Sequence, residues 1–225
     1  VTKRKIIEAD ALEWLKNHQG VGSIVTSLPD MDETGFNEAE YREWFPEAAN
    51  QCFYAASKGH PIIFYQTDRL YKGKRISKAS MIMRMADVWD FQIVYHKIVL
   101  RRDPGKIDLR RPGYSHLICF GGDGVTAGKA TPDVFHAGGV LYPNGTGLAA
   151  ATVALQTALR HGTKVCDPFC GRGTIPALAE GMGFEKVVGV DIDPSQCEAA
   201  RTIRMQKVST GAIVKASRTR LFGDR

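Results

Sequence analysis

Short apolar runs alternate along the chain with stretches whose apolar positions recur at helical spacing, the pattern of strands and helices taken in turn. Strand-length runs fall at 5–8, 23–26, 62–66, 164–167 and 186–190. Helical spacing predicts helices over 11–15 (Ala11, Leu12, Trp14, Leu15), 41–57 (Tyr41, Trp44, Phe45, Phe53, Tyr54), a methionine-rich 78–87, 148–161 and 194–208. Gly20, Gly22, Gly59 and Pro61 punctuate these elements. Two longer β-rich runs, 91–100 and 114–120, are joined by a segment bearing Pro and Arg and predict an antiparallel hairpin at the sheet edge. Residues 31–40 (acidic), 68–77 (basic) and 121–139 (six glycines) read as loops. Alternation almost throughout predicts an α/β protein: a doubly wound, mainly parallel sheet of seven strands with helices on both faces, in one domain over 1–225.

Composition narrows the class. With 44% hydrophobic and 24% charged residues, 225 residues suffice for one domain with a real core. The longest apolar runs are far short of the ~20 residues a bilayer span needs, and no signal peptide is recognisable, so an intracellular protein, cytoplasmic or nuclear, is expected. The start at Val1 reads as a processed or trimmed chain. Five cysteines are an odd number, and Cys166 and Cys170 lack the spacing of common zinc or redox pairs, so reduced thiols and no metal are expected. The net charge of +6 points to an anionic partner because it is clustered: 3–5, Lys72, Lys74, Arg75 and Lys78, Arg101 and Arg102, Arg110 and Arg111, and the tail 218–225. Gly128-Lys129 resembles the end of a phosphate-binding Walker loop, but Asp123 and Ala130 stand where Gly and Ser or Thr are required.

The chemistry concentrates at Asp167-Pro168-Phe169-Cys170-Gly171-Arg172-Gly173-Thr174, where a strand ends in an acid and turns through two glycines into a helix. Such a turn presents free N–H groups and a helix dipole to a ligand, with Gly171 and Gly173 expected to let the backbone approach it. Pro176 occupies the place of the third glycine of a dinucleotide fingerprint, so a nicotinamide-dependent oxidoreductase is disfavoured. Asp191, at the end of the next strand, can accept both ribose hydroxyls of an adenosine and serves either cofactor class.

This turn resembles motif I of S-adenosylmethionine-dependent methyltransferases, in the Asp-Pro-Phe-Cys-Gly-x-Gly-Thr form of amino-methyltransferases acting on nucleic acids. The order of the pieces, 8–12, 26–30, 142–147 and then 167–174, is similar to the circularly permuted β-class arrangement and covers nearly the whole chain. The resemblance implies a Rossmann-like methyltransferase fold, a substrate and catalytic half over 1–120, a glycine-rich loop over 121–140 and a cofactor-binding half over 141–225. It implies S-adenosyl-L-methionine as cofactor, with Asp10 and Ala11 near the adenine and Asp191 and Ile192 at the ribose. Asp167, Pro168, Phe169, Cys170, Gly171 and Gly173 would surround the methionine portion, closed from the other side by Asn144 and Thr146. Helix capping for Asp10 and a turn for Asn144 and Thr146 are the competing readings.

Ser27-Leu28-Pro29-Asp30 stands where the family carries Asp/Asn/Ser-Pro-Pro-aromatic. Ser27 and the Leu28 carbonyl would accept the hydrogens of a target amine, and Pro29 would stiffen the turn. Asp30 departs from the aromatic residue, leaving base stacking to Phe36, Trp44, Phe135 or Tyr142, and Asp30 itself to a base edge, a proton or a turn cap. The substrate expectation is a nucleobase nitrogen, in RNA before DNA, with a protein partner supplying specificity, because no segment is long enough for a duplex-reading region. A small-molecule or protein N-methyltransferase and a noncatalytic nucleic-acid-binding or scaffolding protein stay open beside it.

Overall fold

A computed structural model describes residues 3–107, 109 and 111–205. Arg110, the tail 218–225 and the end of the last expected helix lie outside the described residues. In chain order the first half contains β1 (Lys3–Glu8), α1 (Ala11–Lys16), β2 (Ser23–Thr26), α2 (Met31–Thr34), α3 (Glu38–Ala55), β3 (Ile62–Gln66), β4 (Arg69–Tyr71), β5 (Lys74–Ile76) and α4 (Lys78–Val88). There follow β6 (Gln92–Leu100), β7 (Tyr114–Gly121), β8 (Val134–His136), α5 (Leu148–Arg160), β9 (Lys164–Asp167), α6 (Thr174–Gly181), β10 (Lys186–Asp191) and α7 (Pro194–Thr202).

The main sheet has the order β1-β10-β9-β2-β3-β7-β6-β8. β1, β10, β9, β2 and β3 run parallel, β7 and β6 form an antiparallel pair against β3, and β8 lies parallel to β6. All seven expected strands are present. The eighth comes from the glycine-rich loop and covers the hairpin, so β6 is not the edge. β8 is held there by Lys97, whose buried ammonium donates to the Thr131 carbonyl and to Asp133 Oδ1, both at 3.0 Å, while Phe135 enters the core.

The basic segment expected as a loop is a second, two-stranded hairpin, β4 with β5. Its turn places Lys72 at φ 47° and Gly73 at φ 73°, the paired positive values of a type I′ turn. Lys at the first of these positions carries no recognisable turn signal. In the acidic stretch Asp30 caps α2 and Asn37 caps α3, each with a glutamate three residues on returning the bond, so α3 starts before Tyr41.

Alternate residues of the strands feed two cores. Ile24, Ile62, Phe64, Ile118, Phe120, Cys166 and Val188 face α1, α3 and α4, where Phe45 and Phe53 pack. Val25, Ile63, Leu117, Cys119, Val165 and Val187 face α5 and α6. Each fully buried side chain of this size contributes about 1.5–3 kcal/mol. The topology brings β9 and β10, late in sequence, between β1 and β2, so the acid-ended strands gather their carboxyl ends at one edge of the sheet.

The seam between β2 and β9 is closed at Gly22, at φ +93°, where an added Cβ would overlap the Lys164 carbonyl. Gly22→Ala is therefore expected to cost about 2–4 kcal/mol, from left-handed strain and overpacking together, read as a lower urea midpoint with an unchanged slope.

Candidate active site: two clefts of opposite charge

The glycine turn is tied at both ends. Asp167 is buried and accepts from Thr26 Oγ1 at 2.7 Å and from Phe169 N at 3.3 Å. Burial, with the Asp191 charge adding to it, pushes its carboxyl up to about 7 against these two hydrogen bonds. Asp191 Oδ2 accepts from Gly171 N at 2.8 Å and its Oδ1 from Asp193 N at 3.0 Å, so the second strand end shapes the glycine turn as well as facing solvent. Gly171, at φ +50°, would direct a Cβ toward Tyr142 Oη and Gln196 Oε1 across an open cleft. Gly173 differs from the expectation: its added Cβ would meet Ala200 Cβ at 2.8 Å, so that glycine lets α7 pack and does not make room for a ligand.

A cleft of about 440 Å³ lies over this turn. Asp167, Phe169, Cys170, Gly171, Asp191 and Ile192 line it together with Asn144 and Thr146. Pro168 and Gly173 are not part of this lining. Asp10 and Ala11 fall outside it too: Asp10 is the N-cap of α1, accepting from Glu13 N at 3.0 Å, and Ala11 is buried. Tyr142 and Arg172, which lie within the motif stretches without a cofactor role expected of them, join the lining together with Gln196 of α7. The Arg172 guanidinium lies over the Tyr142 ring at 5.5 Å.

A second cleft, of about 270 Å³, adjoins the first. Its walls bring together Lys78, Arg101, Arg102 and Arg111 with the carboxyl end of β3, Tyr65 to Thr67, which sequence reasoning passed over although strand ends of this fold are where ligands gather. Ser27, Leu28, Glu33 and residues 144–146 line both clefts. Charge is segregated across this shared wall. The first cleft carries Asp167, Asp191, Asp193 and Glu33 against Arg172, and the second carries four cations against Asp30 and Glu33.

Ser27, Leu28 and Pro29 form the turn after β2, pinned by Tyr41 Oη on the Pro29 carbonyl at 2.8 Å and by Gln66 Nε2 on the Leu28 carbonyl at 3.3 Å. Of the three uses the sequence left open for Asp30 the structure shows the cap, at α2, and Asp30 is a charge hub besides. Oδ1 meets Lys78 Nζ at 3.1 Å, and Oδ2 meets Arg111 at 2.9 Å and Arg69 at 3.7 Å. Burial pulls the Lys78 ammonium below its ordinary value while Asp30 acts in the opposite direction. Lys78 is thus a buried partner in the cleft floor and not an exposed phosphate ligand. Lys72, Lys74 and Arg75 are exposed on the β4–β5 hairpin, with Arg75 donating to Tyr114 Oη at 2.9 Å. Arg4, from the first basic cluster, is structural: it pairs with Glu180 at 3.5 Å and donates to the Ile203 carbonyl at 3.0 Å.

Of the aromatic residues considered for stacking, Phe135 is in the core, Trp44 packs between Phe36 and Phe169, and Tyr142 faces the first cleft. Tyr65 is the aromatic side chain that lines the second.

Several solved structures share this architecture. The PvuII DNA methyltransferase, cytosine-N4-specific, aligns with a TM-score of 0.62 at 18% identity, covering 100% of this chain and 95% of that one. TTHA0409 of Thermus thermophilus, a candidate DNA modification methylase, aligns with a TM-score of 0.64 at 15% identity over 88% of this chain and 92% of that one. A complex of the same protein with S-adenosyl-L-methionine gives 0.62 at 16% over 89% and 93%. The chain has their fold. In sequence, a 47-residue stretch is 40% identical to the ribosomal protein L11 methyltransferase of Burkholderia cenocepacia; it spans 21% of this chain and 16% of the length of that enzyme. No family model matches the chain.

Two outcomes follow from the buried carboxylates. Asp30→Ala leaves Lys78 buried without its counter-ion and is expected to cost about 3–5 kcal/mol, much of it recovered in the double variant with Lys78→Met, as measured by urea denaturation. Asp167 binds a proton more tightly folded than unfolded, so its contribution is fully present below the unfolded carboxyl range and is lost as pH rises through about 7. Asp167→Asn should flatten the fall in stability between about pH 4 and 7, followed by denaturation midpoints across that range.

Proposed function

We propose that the chain is an S-adenosyl-L-methionine-dependent methyltransferase acting on a nucleobase nitrogen, in RNA before DNA. The observation that carries this reading is the pair of oppositely charged clefts sharing Ser27 and Leu28. A cleft rich in carboxylates suits a nucleoside bearing sulfonium and ammonium charges and repels the pyrophosphate of a dinucleotide. The open space in front of Gly171 and the remaining lone pairs of Asp191 fit such a ligand. When bound, the cofactor supplies an activated methyl group. Asp191 and Ile192 would hold its ribose and adenine end; Asp167, Phe169 and Cys170 would hold the methionine end, with Asn144 and Thr146 closing over it.

The cationic cleft suits a phosphate-bearing acceptor. Ser27 Oγ and the Leu28 carbonyl would accept from the target amine and aim its lone pair along the shared wall, the positioning on which in-line transfer depends. Arg101, Arg102 and Arg111 would hold the strand beside the reacting base, with Lys74 and Arg75 extending the basic surface. RNA stands before DNA in this reading because a cation-lined cleft grips structured or single strands by shape and phosphate.

Labelled methyl groups offered to fractionated cellular RNA, DNA and protein should enter RNA. Incorporation into DNA alone would move the substrate, incorporation into protein alone would remove the nucleobase, and none despite cofactor binding would leave a noncatalytic binding protein. Ser27→Ala should lower kcat at least about tenfold on the accepted substrate while cofactor affinity by calorimetry stays within about twofold.

A further inference from the structure

Resting on the cofactor reading above, we infer that Glu33 is a further catalytic residue, whose carboxylate faces the cationic reacting centre and takes the proton released by the methylated nitrogen. Transfer between two ligands requires their reacting atoms to meet where the two clefts join. Among the described residues, Glu33 is the carboxylate that lines both clefts; Asp30 lines the acceptor cleft, and Asp167, Asp191 and Asp193 line the other. Its position is fixed by the backbone, since Glu33 Oε2 accepts from Asp30 N at 2.7 Å in the capping box of α2.

The two neighbouring acids differ in what meets their charge. Asp30 is surrounded by Lys78, Arg111 and Arg69, whereas Glu33 receives a neutral N–H and, among the described residues, forms no ion pair. Its charge is felt by Lys78 in the acceptor cleft but is not taken up in an ion pair among the described residues, so it is available to a cation at the junction. Position 30 carries no aromatic ring, and Glu33, three residues on, lines the junction with a carboxylate side chain. In the step, the amine lone pair forms the N–C bond as the C–S pair returns to sulfur. The nitrogen, now carrying the positive charge, loses one proton to the Glu33 carboxylate. Glu33 is exposed, so the resulting carboxylic acid returns that proton to solvent.

Glu33→Gln separates charge from structure, because glutamine serves the same capping box. Its melting temperature should match the wild type. Calorimetry with three ligands then reads the charge: S-adenosylmethionine, the analogue with an ammonium in place of the sulfonium, and neutral S-adenosylhomocysteine. The expected result is about a five- to tenfold loss of affinity for both cationic ligands, with the neutral one unchanged, and a fall in kcat of about a hundredfold on the accepted substrate. Equal changes for all three ligands, or no change for the cationic pair, would overturn the role of Glu33. Wild-type protein that binds none of the three would overturn the cofactor reading and this inference with it.

Discussion

A single hydrogen bond, from Thr26 Oγ1 to Asp167 Oδ1 at 2.7 Å, joins two strand ends that lie 141 residues apart in the chain. Ser27 to Asp30 leave one partner, and the glycine turn leaves the other. Burying a carboxylate is costly, and Asp167 is kept in place by the Thr26 hydroxyl and the Phe169 N–H, the second of which also closes the turn. The remaining strain is electrostatic and appears as a carboxyl pushed up to about 7 beside Asp191. A positive ligand group in the adjoining cleft would relieve it, which is a physical reason for a buried acid to stand at this edge.

The second organising constraint is the Asp30 hub. A buried ion pair seldom adds much net stability, but breaking one is expensive, so such a pair holds its partners in register. Asp30 ties the turn after β2 to α4 through Lys78, to the β4–β5 hairpin through Arg69, and to the segment between β6 and β7 through Arg111. The hub turns what would be an apolar stacking wall into a polar, cation-lined cleft. Among the described residues it also leaves Glu33 as the acid that lines both clefts. The two clefts thus differ in sign because the acids of the strand ends collect on one side of the shared wall and the arginines of the β6–β7 connection on the other.

Local signals in the sequence determined much of this. The seven strands, the longer helices and the glycine turn are legible because each depends on near neighbours: periodic apolar positions, and an acid followed by two glycines; the capping boxes at Asp30 and Asn37, which make helix of a stretch expected as loop, were not read. The tertiary structure decided what those residues do. Gly173 looked like space for a ligand and is space for Ala200; Arg4 and Lys78 looked like surface charge and are buried partners; Phe135 looked available for stacking and lies in the core. The eighth strand and the β4–β5 hairpin were hidden because three-residue strands carry too little periodicity to read. Whether a charged side chain is a solvated face, an ion pair or the wall of a site depends on which strands become neighbours. Here the insertion of β9 and β10 between β1 and β2 set the glycine turn beside Ser27, a long-range pairing that no local pattern encodes.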